Sequence, residues 1–280
     1  MARISQTSQQ LILPCRLRGF FVEVEFKIWY DNFRMKNYVI QLLGWTATQA
    51  DTLKGEHKKW AVFLIGPPGS GKGTQADLLA ERFGLVHVQT SKLGEAKIND
   101  EELVKRDLEV AEVKRLYDKG ELFPPPWTVK IVFEKAKELS DKGVGIVFSG
   151  SPRTIYEAEQ ELPYFENLYG REKIRVINLK IDEDESVNRN SNRRVCKANG
   201  HPIPNFEQFK NIQVCPHDGS EIITRSLDSP DTIKTRNEVY HRRTELILDF
   251  LEKKGHKVIE VNGVQPIQKV FEDILNNLND

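Results

Sequence analysis

Apolar residues recur along the chain with two spacings, one typical of buried strands and one typical of amphipathic helices. Short apolar runs predict strands at residues 61–65, 86–88, 144–149, 174–181 and 257–261. Apolar positions three or four residues apart predict helices at 72–83, 126–141, 155–168, 231–254 and 267–279, with further helical stretches between 91 and 119. This alternation predicts an α/β fold with a parallel sheet, helices on both faces, and ligands at the carboxyl ends of the strands.

Two stretches interrupt the alternation and predict smaller subdomains within a domain over residues 59–280. The first is a helical insert at about 89–123. The second, at about 194–228, shows little helical periodicity and is interrupted by Pro202, Pro204, Pro216 and Gly219. Proline and glycine at this density predict a loop-rich insertion.

Residues 1–58 form an N-terminal extension whose role the sequence leaves open. Residues 22–28 alternate apolar and polar side chains as a half-buried strand does, and a second apolar run covers 38–43. Met35 precedes the second run, so one interpretation is an upstream extension before an internal start. The other interpretation is a short appendage that packs on the core or on a partner.

A glycine-rich loop lies between the first predicted strand and the first predicted helix. Gly66 is followed by four residues and then by Gly71 and Lys72, which is the spacing of a phosphate-binding loop. Its glycines let backbone N–H groups close around phosphate oxygens, the helix N-terminus adds a favourable dipole, and the lysine adds a positive charge. The sequence therefore predicts a nucleotide-binding site formed by Gly69, Ser70, Gly71, Lys72, Gly73 and Thr74.

Composition narrows the classes of partner. The chain has 41 basic and 41 acidic residues and a formal net charge of zero, so it lacks the basic bias of a nucleic-acid-binding protein. No apolar stretch reaches the length that spans a bilayer and no convincing signal peptide is present, so we expect a cytoplasmic protein without a membrane partner. Three cysteines in 280 residues do not predict a disulfide scaffold.

The details of the loop resemble one family. The residue after Lys72 is Gly73 and the hydroxyl follows on Thr74, as in the G-x-x-G-x-G-K-G-T variant of adenylate kinases. Residues 84–90 resemble that family's first monophosphate-site segment, and residues 150–154 resemble its G-F-P-R-T segment. The resemblance runs from about residue 58 to the C-terminus, so the fold it implies is a P-loop NTPase-type sheet with a monophosphate-binding subdomain and a lid.

The resemblance implies a monomeric nucleoside monophosphate kinase that transfers the γ-phosphoryl group of ATP, with Mg²⁺, to a monophosphate, AMP being favoured. The cations that it places on the phosphates are Lys72, Arg153, Arg189, Arg193, Arg225 and Arg236, of which Arg189 and Arg193 also belong to the ATP site. The residues that it places at the monophosphate are Thr90, Leu122, Phe123, Gly150, Arg153, Glu157, Arg225 and Arg236.

Some positions depart from the family pattern. Ser149 stands where the family has the acid that organises the water shell of Mg²⁺. Lys92 replaces a second acid, and Glu95 replaces an arginine expected on the monophosphate. Glu157 replaces a glutamine that reads adenine, and an ionised carboxylate suits guanine better than adenine. Two interpretations follow, an altered kinase and a nucleotide-binding protein without efficient transfer.

The lid region suggests a third function, an interaction module with a zinc-binding lid. Cys196, Cys215 and Asp218 match ligand positions of zinc-bearing lids in the family, and His201 or His217 could complete a tetrahedral set. The fourth family position is Asn199, a poor zinc ligand. The alternative is a lid held by hydrogen bonds and apolar packing, with both thiols as small buried groups.

Overall fold

The computed structural model describes residues 57–119, 121–198, 200, 202–203, 210–216, 218–224 and 229–278. The extension predicted at 1–58, with its runs at 22–28 and 38–43, lies outside the described residues except for its last two positions. Among the described residues, no helix is both long enough and apolar enough to cross a membrane.

The described strands and helices follow the predicted alternation closely. The strands are β1 (Ala61–Ile65), β2 (Leu85–Val88), β3 (Gly145–Phe148), β4 (Ile174–Lys180), β5 (Arg194–Cys196), β6 (Pro202–Ile203), β7 (Ile222–Thr224) and β8 (Val258–Asn262). The α-helices are α1 (Lys72–Phe83), α2 (Thr90–Ile98), α3 (Glu101–Arg106), α4 (Leu108–Asp118), α5 (Pro125–Asp141), α6 (Ile155–Tyr169), α7 (Glu183–Ser191), α8 (Pro230–Val239), α9 (Leu246–Lys253) and α10 (Ile267–Leu278). The single helix predicted at 231–254 comprises α8, a π turn at Tyr240–Thr244 and α9.

Five parallel strands form the central sheet in the order β2-β3-β1-β4-β8. Within it, Phe63 of β1 lies opposite Phe148 of β3 on one side and Val176 of β4 on the other. The carboxyl ends of β1, β2 and β3 therefore meet at one edge of the sheet, where the glycine-rich loop begins. The α/β fold with a parallel sheet is confirmed.

The core lies on both faces of this sheet, because successive side chains of a strand point to opposite faces. Val62 and Leu64 of β1 pack with α1 and α10 on one face. Phe63 packs on the other face with α5, α6 and α9, where its ring meets Phe148 at 5.5 Å and the edge of Phe165 at 5.1 Å between centroids. The first strand is thus buried on both sides and holds the loop that follows it in place.

Two insertions extend from the carboxyl edge. Helices α2, α3 and α4 lie between β2 and α5, and share a small core around Ile98, Val110, Val113 and Trp127. The second insertion contains a three-stranded antiparallel sheet in the order β6-β5-β7. The proline-rich pattern of this insertion predicted loops, and its strands of two or three residues are too short to leave a readable alternation.

Candidate active site

The glycine-rich loop is held in a conformation that other residues adopt only with strain. Gly69 has φ +79° and Gly71, the N-cap of α1, has φ +92°, both in the left-handed region. A Cβ on Gly69 would come within 2.5 Å of Asn190 Nδ2. The loop therefore leads directly into the N-terminus of α1, whose free N–H groups and dipole favour a bound anion.

Helix α7 supports this loop from behind. Ser186 is fully buried, and its hydroxyl lies 2.7 Å from Pro68 O and 2.9 Å from Asn237 Oδ1 on α8. Asn190, also fully buried, donates to Ser186 O across 2.7 Å. Sequence reasoning missed these residues; the signal available was a helix with very few apolar residues, which implies that its buried face is polar.

Lys72 lies at the centre of a group of cations. Its ammonium donates to Gly66 O across 2.7 Å within the loop. Burial first, and then the charges of Arg153, Arg236 and Arg193, lower the pKa of Lys72 to about 7. Three arginines therefore lie near enough to Lys72 to lower the pKa of its ammonium. A polyanion bound among these cations would be stabilised by them, so the site suits a nucleoside triphosphate.

Arg189 lies beside the same loop. Its guanidinium donates to Gly69 O across 3.4 Å and to Gly263 O across 2.9 Å, and Glu185 Oε1 accepts from its Nε across 2.6 Å. These contacts place it on the triphosphate side of the site. Arg225, the remaining arginine predicted from the sequence, lies outside the described residues.

Three of the predicted monophosphate residues, Thr90, Gly150 and Arg153, come together at the start of α2 and the loop after β3. A Cβ on Gly150 would lie 3.0 Å from Arg153 Nη2 and 3.6 Å from Thr90 Oγ1. The Thr90 hydroxyl is buried and has no hydrogen-bond partner among the described residues. A polar atom that is left unbonded at this point can accept or donate a hydrogen bond to a ligand.

Glu157 is buried beside Arg153. Only 4% of the residue is exposed, and its Oε2 accepts a hydrogen bond from the Arg153 backbone N–H across 2.5 Å. Burial raises the pKa of this carboxyl above its ordinary value. The Glu157 side chain therefore faces the interior and not the solvent.

Phe123 and Leu122 differ in their surroundings. The Phe123 ring stacks on Tyr117 at 4.9 Å between centroids and covers Gly94, where a Cβ would meet it at 2.3 Å. The Leu122 side chain is exposed. Both follow the helical insert near the start of α5, and Phe123 closes the small core of that insert.

The positions that depart from the family pattern have defined contacts. Glu95 Oε1 accepts a hydrogen bond from the Tyr117 hydroxyl across 2.9 Å. Lys97, close to it in sequence, pairs instead with Glu134 across 2.7 Å. The Lys92 side chain reaches the second insertion, where its Cε would lie 3.4 Å from a Cβ on Gly200. The two insertions therefore approach each other at Lys92 and Gly200.

The region of β5 and β7 brings three candidate zinc ligands together. One ligand atom from each of Cys196, Cys215 and Asp218 lies within 4.8 Å of the others. Cys196 Sγ lies 3.3 Å from Asp218 Oδ2 and 3.0 Å from Ser220 Oγ, and the Ser220 backbone N–H donates to Asp218 Oδ1 across 2.9 Å. Asn199, His201 and His217 lie outside the described residues.

Comparison with known proteins identifies the family to which this chain is similar. The family model described as adenylate kinase matches residues 64–256, well over half of the chain. The chain is 35% identical over 214 residues to an adenylate kinase of Bacillus velezensis, covering 75% of this chain and 94% of that protein. An adenylate kinase of Elusimicrobium minutum is 37% identical over 222 residues, covering 78% of this chain and 98% of that protein. The chain therefore belongs to the adenylate kinase family, and it is a phosphotransferase.

Proposed function

We propose that this phosphotransferase moves the γ-phosphoryl group of ATP to AMP, forming two molecules of ADP. The observation that supports this most strongly is the convergence of Lys72 with Arg153, Arg193 and Arg236. Arg153 also lies within reach of Gly150 and Thr90. One group of cations thus connects a triphosphate loop with a second polar site, as an in-line transfer between two nucleotides requires.

The donor side is assigned to the glycine-rich loop. The backbone of Gly69–Thr74 and the Lys72 ammonium bind the ATP phosphates, and Arg189 and Arg193 add charge from the side of the lid. Mg²⁺ would enter with ATP as part of the substrate and would stabilise the developing charge on the phosphates. The Thr74 and Ser149 hydroxyls would hydrogen-bond to the water molecules of this ion.

The acceptor side is assigned to the helical insert at about 89–123 and the loop after β3. Thr90, Leu122, Phe123, Gly150 and Glu157 contact the nucleoside monophosphate, and Arg153, Arg225 and Arg236 bind its phosphate and the transferred group. Guanidinium groups suit this role because they are permanently charged and bind phosphate oxygens in pairs.

We assign the second insertion, about 194–228, to a lid that excludes water during transfer. Its cluster of Cys196, Asp218 and Ser220 is connected by hydrogen bonds. A tetrahedral zinc site would also need a fourth ligand, and the fourth family position is Asn199, a poor zinc ligand. We therefore favour a hydrogen-bonded lid over a zinc-bound one.

The second candidate function is nucleotide binding without efficient transfer. It is favoured by Ser149, Lys92 and Glu95, which remove two family acids and one arginine from the site. Phosphoryl transfer from ATP with Mg²⁺, measured in parallel on AMP, GMP, CMP and UMP, separates the candidates. We expect AMP to react fastest, whereas ATP binding without transfer to any acceptor would support the second candidate.

A further inference from the structure

Three polar side chains from three separate elements form a hydrogen-bonded chain at the edge of the site. His87 on β2 lies between Asp77 on α1 and Ser149, which follows β3. Its Nδ1 is 2.6 Å from Asp77 Oδ1 and its Nε2 is 2.7 Å from Ser149 Oγ. The His87 side chain is only 8% exposed, and both of its ring nitrogens are bonded to polar groups.

The Asp77 carboxylate determines the proton on Nδ1 of His87, and the Ser149 hydroxyl can either accept from Nε2 or donate to it. An ionised carboxylate only accepts hydrogen bonds, so Nδ1 must carry a proton and donate it to Asp77. In the neutral ring Nε2 is then bare and accepts from the Ser149 hydroxyl. The remaining lone pairs of Ser149 Oγ can therefore only accept hydrogen bonds.

Ser149 lies where a hydroxyl that accepts hydrogen bonds could contact the hydrated cation of a bound nucleotide. It lies at the carboxyl end of β3, the neighbour of β1 and its glycine-rich loop, and directly before Gly150 and the Arg153 segment. Water molecules bound to a divalent cation are hydrogen-bond donors, since their oxygens face the metal. A hydroxyl fixed as an acceptor matches them, whereas a freely rotating hydroxyl would present its proton part of the time.

We propose that Asp77 and His87 are positioning residues that hold the Ser149 hydroxyl as a hydrogen-bond acceptor for the water shell of Mg²⁺-ATP. The proposal rests on the function proposed above and deepens it. With this pair, the Ser149 hydroxyl accepts hydrogen bonds as a carboxylate at this position would, but it carries no negative charge. Asp77, which the sequence analysis did not single out, thereby acts on the site through two other side chains.

The same arrangement raises a competing chemistry. A base that is oriented by an acid and hydrogen-bonded to a hydroxyl is also the geometry that activates a nucleophile. Ser149 would then attack the γ-phosphorus of ATP, its proton would pass to His87, and ADP would leave. That reaction would leave a phosphoryl group on Ser149, which intact-protein and peptide mass spectrometry after incubation with Mg²⁺-ATP would detect.

The first test reads the imidazole directly and needs no nucleotide. ¹⁵N NMR of histidine-labelled protein distinguishes a neutral ring protonated on Nδ1 from one protonated on Nε2. We expect the His87 proton on Nδ1 in the wild type, and we expect it to shift toward Nε2 in Asp77→Asn, because the amide can donate to Nδ1. A wild-type ring protonated on Nε2, either alone or together with Nδ1, would overturn the proposal.

The second test measures how much Mg²⁺ adds to ATP affinity, from calorimetric titrations with Mg²⁺ and with EDTA. We expect Asp77→Asn and Ser149→Ala to reduce this gain several-fold and to similar extents, with no further loss in the double variant. Affinity for metal-free ATP should stay unchanged. Asp141→Asn is the matched control, since Asp141 is exposed and pairs with Lys137 at 3.0 Å on α5.

The outcomes of the two tests either support or overturn the proposal. An unchanged gain in Asp77→Asn beside a reduced gain in Ser149→Ala would overturn it, as would a phosphoryl group on Ser149. Wild-type protein that binds no ATP under either condition would contradict the proposed function itself, and this proposal with it. Equal losses in the two single variants, together with the Nδ1 tautomer, are the expected outcome.

Discussion

The Ser151 hydroxyl donates a hydrogen bond to Glu161 Oε1 across 2.6 Å, and neither residue exposes more than 2% of its surface. Burial raises the pKa of Glu161 well above its ordinary value of 4.5, and the nearby Glu157 raises it further. Glu161 Oε2 has no hydrogen-bond partner among the described residues. The Ser151 hydrogen bond favours the ionised carboxylate, but burial outweighs it, so the raised pKa favours the protonated carboxyl in the folded protein.

We expect Glu161→Gln to remove a pH dependence of stability. The folded state holds a proton that the unfolded state releases above pH 4.5, so the free energy of unfolding falls as pH rises toward the folded pKa. Glutamine stays neutral and keeps an acceptor for Ser151, so the variant should be the more stable protein at high pH. Urea unfolding at a series of pH values measures this.

Glu159→Gln is the matched control for that experiment, because Glu159 is exposed on the same helix. It should give the same slope of stability against pH as the wild type. Parallel curves for the wild type and Glu161→Gln would contradict a buried neutral acid at this position.

The buried acids show where the sequence was informative and where it was not. Strand β1 and helix α1 could be predicted to the residue, because apolar periodicity and a glycine loop mark their ends. Glu157 and Glu161 lie on a helix with several acidic residues, and such a run is ordinarily a solvated face. Burial of two acids depends on the neighbouring loop, which a single-sequence pattern does not contain.

In the candidate site, too, some residues could be predicted from the sequence and others could not. The spacing of the glycine-rich loop predicts the role of Lys72, whereas the roles of the arginines were implied by the resemblance to the adenylate kinase family. The Ser186 and Asn190 supports, and the chain from Asp77 to Ser149, join residues up to 118 positions apart. Their contacts arise from the order of strands in the sheet, so ordinary polar residues in the sequence gave no signal of them.

We expect Lys72→Met to abolish transfer and to weaken ATP binding at least about tenfold, since a hydrogen bond to a charged group contributes about 1.5–3 kcal/mol. Calorimetric titration with ATP and circular dichroism measure affinity and folding. Lys197→Met is the control, because Lys197 forms an exposed pair with Glu221 at 2.7 Å. Unchanged ATP affinity in a folded Lys72→Met protein would exclude the assignment of the phosphate loop.

The lowered pKa of Lys72, about 7, predicts a second result from the same protein. At about pH 8 much of the Lys72 population is neutral, and bound phosphates restore its charge, so ATP binding should take up protons from solution. Calorimetry in buffers with different ionisation enthalpies counts these protons. Without ATP, the free energy of unfolding contributed by Lys72 should rise with pH from about 7 toward 10.5, because the unfolded state binds the extra proton in that window. Lys72→Met should show neither effect.

For the lid, we expect Cys196→Ser to preserve local stability and Cys196→Val to reduce it. A serine hydroxyl can still donate to Asp218, whereas valine leaves that carboxylate without this donor. Amide hydrogen exchange in β5 and β7 measures local opening of the lid. One zinc ion per chain in protein grown with added zinc, lost in Cys196→Ser, would contradict the hydrogen-bonded lid.

For the acceptor, we expect Glu157→Gln to shift the ratio of AMP to GMP turnover toward AMP by several-fold. The amide oxygen of glutamine can keep the bond from the Arg153 backbone N–H, so the substitution changes mainly the second atom of the group. There an amide NH₂ replaces an oxygen and can donate to adenine N1, which a carboxylate cannot. One mismatched buried hydrogen bond costs about 1–3 kcal/mol, which is enough to change the ratio measurably.

The raised pKa of Glu157 supplies an independent readout of that side chain. A protonated carboxyl can donate as glutamine does, so the preference of the wild type for AMP over GMP should increase as pH falls toward the Glu157 pKa. In Glu157→Gln the ratio should stay constant with pH, and in the control Glu159→Gln it should follow the wild type. A ratio that is unchanged by Glu157→Gln at every pH would show that this side chain does not contact the base, and the choice of acceptor would then rest on Thr90 and the backbone around Gly150.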